Sequence, residues 1–112
     1  MLALEKLRGT QTKTPLVTLF TIMLGESAQR KGFEIVSALR AANIDCLLDL
    51  NARSMKAQMR EANKANAKFV YIIGESELAE GAGVLKEMQT GEQTKIHFDS
   101  IVEEIKRRLP HS

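Results

Sequence analysis

The sequence predicts an α/β fold: one five-stranded mixed sheet, with a parallel core and an antiparallel hairpin, flanked by three helices. Three observations carry that reading. A β-branched and aromatic run, Leu16 to Leu24, and an alternating run, Ile44 to Leu50, bracket a segment with helical periodicity. A third run, Phe69 to Ile73 (FVYII), is apolar throughout, as in a central strand buried on both faces. Two shorter runs meet at Thr90-Gly91, which suits a tight hairpin turn. The order β α β α β β β α makes the first connections right-handed crossovers and the sheet parallel at its start. Helices then cover both faces.

In chain order, Leu2, Leu4 and Leu7 form a short helical pattern that dissolves into the polar linker Gly9 to Pro15. Residues 1–14 therefore read as a helix tail and linker, and 15–112 as the domain. Gly25-Glu26-Ser27 breaks the first strand and opens a helix with Ala28, Gly32, Ile35, Leu39 and Ala42 on one face, closed by Asn43. The second strand alternates, with Ile44, Cys46, Leu48 and Leu50 on one side and Asp45, Leu47 and Asp49 on the other. Ser54 is a good N-cap for the second helix, whose apolar stripe is Met55, Met59 and Ala62. Ala82 to Met88 and Glu92 to Phe98 are the hairpin strands. Asp99 or Ser100 caps the last helix, with Ser100 and Glu103 spaced for a capping box. Ile101, Ile105 and Leu109 are its buried side, and Pro110 ends it.

Bulk properties narrow the function classes. A length of 112 residues suits one domain and sustains a core without disulfides or metal. With 27% charged and 44% hydrophobic residues, the composition is that of an ordinary globular domain. A net charge of +2 is too small to argue for nucleic acid, so only clustering of the cations can. The lone cysteine, Cys46, rules out an intrachain disulfide, favours a cytoplasmic setting, and reads as a small buried hydrophobe. The N-terminus has no signal-peptide h-region. Leu16 to Leu24 is about half the length a spanning helix needs, so no membrane segment is expected.

Arg53, Lys56, Arg60 and Lys64 are spaced three, four and four apart. They share one quadrant of the second helix. Such a ridge attracts a phosphate backbone, or is simply a solvated helix face. Gly74 to Gly83 packs three glutamates beyond the carboxyl end of the third strand, where open α/β sheets hold ligands. Glutamates there can accept hydrogen bonds from a base edge; the bland alternative is a solvated helical turn stopped by glycine. Lys86, between Val84 and Met88, is either an edge-strand gatekeeper or a ligand contact. His97 and His111 lack metal-ligand spacing, and His97 reads as a solvent-side strand residue. The sequence has no G-x-x-x-x-G-K-[ST] and no G-x-G-x-x-G opening a helix. No Ser-His-Asp or Cys-His set is supported by spacing. Phe20, Phe33, Phe69, Phe98 and Tyr71 fall mostly in predicted core, so recognition would lean on charge and hydrogen bonds rather than stacking.

The run RSMKAQMREANKANA, followed by KFVYIIGESELAEG and VLKEMQTGEQ, resembles the C-terminal anticodon-binding domain of histidyl-tRNA synthetases, and SALRAANID fits as well. The likeness covers Pro15 to Leu109. It implies a five-stranded mixed sheet with three helices. It also implies a role in gripping the anticodon stem-loop of histidine tRNA, with no catalysis by this chain itself. In the family the glutamate after the third strand and a basic residue on the next strand meet anticodon bases, which carries over to Glu77 and Lys86. The approach to the second helix carries over to Arg53 and Lys56. Arg60 extends the phosphate ridge, and Gln58 is a further RNA contact on the same likeness. The resemblance implies no cofactor in this domain. ATP and Mg²⁺ would belong to an upstream catalytic domain of the same polypeptide, whose motifs are not in this sequence and whose parent enzyme would be a homodimer. The rivals are a standalone α/β nucleotide binder and an accessory protein-interaction domain.

Overall fold

Seven residues, Val17–Met23, form strand β1 in the computed structural model, which describes residues 17–49 and 54–108. Helix α1 (Glu26–Ala41), strand β2 (Cys46–Leu48), helix α2 (Met55–Lys64) and strand β3 (Ala67–Ile73) follow. Next come helix α3 (Glu75–Glu80), strands β4 (Ala82–Glu87) and β5 (Gln93–His97), a 3₁₀ turn (Phe98–Ser100) and helix α4 (Ile101–Arg108). The expected helix tail at 1–14, and Leu50, Arg53, Leu109 and Pro110, lie outside the described residues.

The five strands form one sheet in the order β2-β1-β3-β4-β5. β1 runs parallel to β2 and β3, while β4 pairs antiparallel with β3 and β5. The chain steps from β1 outward to β2, then back across β1 to β3. Right-handed crossovers in opposite directions put α1 and α2 on opposite faces. The core is split accordingly. Leu19, Met23, Ile35, Leu39, Phe69, Tyr71, Leu85, Ile101 and Ile105 pack on the α1 and α4 side. Phe20, Ile22, Ala62 and Val70 pack on the α2 side, joined by Met59 and Ile72.

Three expectations need correction. The second strand is three residues long rather than seven, and it lies at the sheet's edge. Arg40 of α1 covers that edge by donating from Nε and Nη2 to the Cys46 carbonyl, at 3.2 and 2.9 Å. The described residues hold four α-helices rather than three, because Glu75–Glu80 closes into a helix of its own. Its stop is Gly81, at φ 78°, a left-handed conformation that glycine adopts without a Cβ clash. The last helix follows a 3₁₀ turn, Phe98–Ser100, that contains the expected cap residues Asp99 and Ser100.

Tyr71 ties the hairpin to the central strand. Its hydroxyl donates to the Ile96 carbonyl at 2.7 Å and accepts from the Gly83 N–H at 3.1 Å. Gly83 must stay bare: a Cβ there would lie 2.7 Å from the Tyr71 ring and 2.9 Å from the Ile72 carbonyl oxygen. Phe33, by contrast, is 45% exposed on α1, so that aromatic is not a core residue. Cys46 is buried, as its apolar run suggests, and its Sγ lies 3.5 Å from Thr21 Oγ1.

Candidate nucleic-acid interface

The parallel strands β1 and β3 end side by side at Met23 and Ile73, and the chain beyond each builds one rim of the sheet. After β3, Gly74 turns into α3. The Gly74 N–H donates to Glu77 Oε1 at 2.8 Å, half of a capping box. This bond sets the Glu77 side chain in place. A carboxylate has roughly four lone-pair sites, so one backbone bond leaves acceptor capacity on a half-buried group. The glutamate turn and the helical turn are thus the same object: the short helix is what orients Glu77.

Ser54 caps α2 as expected, its Oγ accepting from the Ala57 N–H at 3.2 Å. Lys56, Arg60 and Lys64 are all exposed, and at 100° per residue they lie opposite the buried Gln58 and Ala62. Lys64 faces Glu61 at 3.7 Å. Lys56 lies in the first turn of the helix, whose amino end an antiparallel return places at the rim, and Arg60 lies about one turn further along. Arg53 lies outside the described residues.

The stripe of α2 differs from the expected one. Met55 is 37% exposed, and Gln58 is fully buried along with Ala62. The Gln58 Oε1 accepts from the Met23 N–H at 2.9 Å and its Nε2 donates to the Met23 carbonyl at 2.7 Å. With none of its surface exposed and its amide bonded to the Met23 backbone, Gln58 presents no surface for the RNA contact expected of it. A signal was present: Gln58 sits three before Glu61 and four before Ala62, inside the Met55, Met59, Ala62 stripe, and a polar residue in an apolar stripe calls for a buried partner.

Lys86 is half-buried on β4, an interior strand with β3 and β5 on either side. The edge-gatekeeper reading therefore fails. Lys86 pairs in register with Val70 and Gln93, three residues down from Ile73, or about 10 Å below the rim at 3.3 Å per residue. Lys95, which sequence reasoning passed over, is nearer. It lies opposite Val84 on β5 and its Nζ meets Glu80 Oε1 at 2.5 Å. The Glu80 carboxylate, and beyond it Glu77, hold the Lys95 ammonium above its usual range. His97, opposite Ala82, is exposed as expected. Val84, Lys86, Lys95 and Gln93 share the α2-side face of the sheet by strand alternation.

The arrangement offers cations for phosphates and a fixed carboxylate for base-edge donors. Among the described residues no group of three or more His, Cys, Asp or Glu could hold a metal ion. Gly81-Ala82-Gly83 leads into β4 rather than a helix, so it is no phosphate loop. Among the described residues no helix is long and apolar enough to cross a membrane.

Comparison with known proteins matches residues 18–108 to a family described as "Anticodon binding domain". A histidine–tRNA ligase of Natranaerobius thermophilus is 37% identical over 106 residues, covering 95% of this chain and 25% of that protein. Among solved structures, apo histidyl-tRNA synthetase of S. aureus superposes with a TM-score of 0.77 at 34% identity, covering 80% of this chain and 23% of that one. The RNA-binding domain of threonyl-tRNA synthetase from Cryptosporidium parvum shares the fold at a TM-score of 0.74 and 16% identity, covering 82% of this chain and 23% of that one. The chain thus spans about a quarter of the length of the curated relatives it matches.

Proposed function

The chain belongs to the anticodon-binding domain family and resembles the C-terminal domain of class IIa histidyl-tRNA synthetases, and from that premise we propose that it is the module with which a histidine–tRNA ligase holds and checks the histidine anticodon. The observation that carries this reading is the backbone-anchored Glu77 just past the end of β3, at the same end of the sheet to which Gln58 ties α2 at Met23, the helix whose outer ridge bears Lys56 and Arg60. The cations hold phosphates and set the stem-loop's position, which is sequence-independent work. Glu77 accepts hydrogen bonds from base-edge donors, as guanine offers through N1 and N2. Lys95 and Lys86 line the sheet face below it, and Arg53 belongs to the same contact set. Catalysis belongs to another domain of the same polypeptide in this reading, with ATP and Mg²⁺ bound there and the parent a homodimer.

The test is binding of the 112-residue chain to a stem-loop RNA with the histidine anticodon, against the same RNA with one anticodon base changed. The native chain should prefer the first. Glu77→Ala should cost about 1–3 kcal/mol for the cognate loop, the scale of a lost base contact, and little for the changed one. Equal binding of both RNAs by the native chain would end the proposal.

A further inference from the structure

We propose that Gln58 is the positioning residue of this interface: it fixes the height of the α2 cations against the Glu77 turn. The inference rests on the anticodon reading above and adds a residue to which that reading gives no contact.

In a parallel ladder, alternate residues of β1 turn their N–H and C=O groups toward β2. Leu19 does so, its N–H donating to the Asp45 carbonyl at 3.2 Å, and Thr21 pairs with Leu48. Met23 has the same parity, but the strand β2 ends at Leu48. Gln58 takes the next position. Its side-chain amide carries an acceptor oxygen and an NH2 with two donors; the oxygen accepts from the Met23 N–H at 2.9 Å and the nitrogen donates to the Met23 carbonyl at 2.7 Å. On the other side of β1's end, the Leu24 N–H donates to the Ile73 carbonyl at 2.9 Å. The next residue is Gly74, which anchors Glu77. Gln58 and the Glu77 anchor therefore flank the end of β1, two interstrand spacings or about 10 Å apart.

α2 and its C-cap also pack apolar side chains on the sheet, with Met59, Ala62 and Ala65 in one cluster with Phe20, Ile22 and Val70. Such packing is not directional and does not by itself choose a height for the helix along β1. Two hydrogen bonds to one backbone residue do.

The experiment compares Gln58→Met, of similar volume but without the amide, with the native chain, each alone and combined with Glu77→Ala. Circular dichroism checks the fold, and binding is read with the two stem-loops. Gln58→Met should lose about tenfold in affinity for the cognate loop and much of its discrimination. Glu77→Ala should then cost less than about threefold further, because residues acting through one geometry are not additive. Losses that simply multiply, or a variant that discriminates like the native chain, overturn the inference while leaving the anticodon reading intact. A native chain that binds both loops equally removes both. If Gln58→Met does not fold, amide exchange on the native chain decides. Adding the cognate loop should slow exchange at the Met23 N–H and the Gln58 side-chain amide, and unchanged exchange at both overturns the proposal.

Discussion

Single side chains in this fold hold together residues far apart in sequence. Tyr71 is the clearest case, buried and bonded at its hydroxyl to two strands, through Ile96 and Gly83. Burial pushes its hydroxyl up to about 12, because a phenolate would lose its hydration. The folded state therefore keeps this proton at a pH where the unfolded chain, near 10, has lost it. The stability this provides is fully present below pH 10 and is lost as pH rises through about 12. Chemical denaturation should record a fall of about 2–3 kcal/mol across that window, from 1.36 kcal/mol per pKa unit. Tyr71→Phe should show a flatter profile at high pH. At neutral pH the same variant should be less stable by about 1–3 kcal/mol, because the buried Gly83 N–H and Ile96 carbonyl lose their partner.

At the scale of the element, α2 separates two tasks by face. Its inner side carries Gln58 and Ala62, both fully buried, and its outer ridge carries exposed cations. In the phosphate-holding role, Lys56→Ala and Arg60→Ala should each weaken both stem-loops to a similar degree. Each should also reduce the slope of log K against log salt by about 1. A change in preference between the two RNAs would instead assign these residues to base contacts. Lys64 should matter less, since Glu61 stands beside it.

Over the whole molecule, the sheet insulates its two sides. The α1 and α4 side supplies the larger core, with Ile105 fully buried in it. Ile105→Ala should cost about 2–5 kcal/mol of stability, the range for a buried aliphatic truncation. Phe33→Ala, on the exposed side of α1, should stay within about 0.5 kcal/mol. Thermal melts of the two variants check both values. Neither residue lies at the rim, so neither variant should change the preference between stem-loops at temperatures where it remains folded.

The sequence by itself determined most of the elements and nominated the candidate site. Periodicity marked the strands and main helices, FVYII marked the central strand, and the Gly74 to Gly83 composition marked the rim. These signals are local: they depend on neighbours two, three or four residues away. Only the tertiary structure decided that Lys86 lies on an interior strand, that Lys95 stands by the glutamates, and that Gln58 faces inward. Each depends on which strands become neighbours. Gln58 finds its partner 35 residues away at Met23, and Lys95 finds Glu80 across 15. Such pairings are chosen by strand order and by where β2 stops, which no window of local sequence contains.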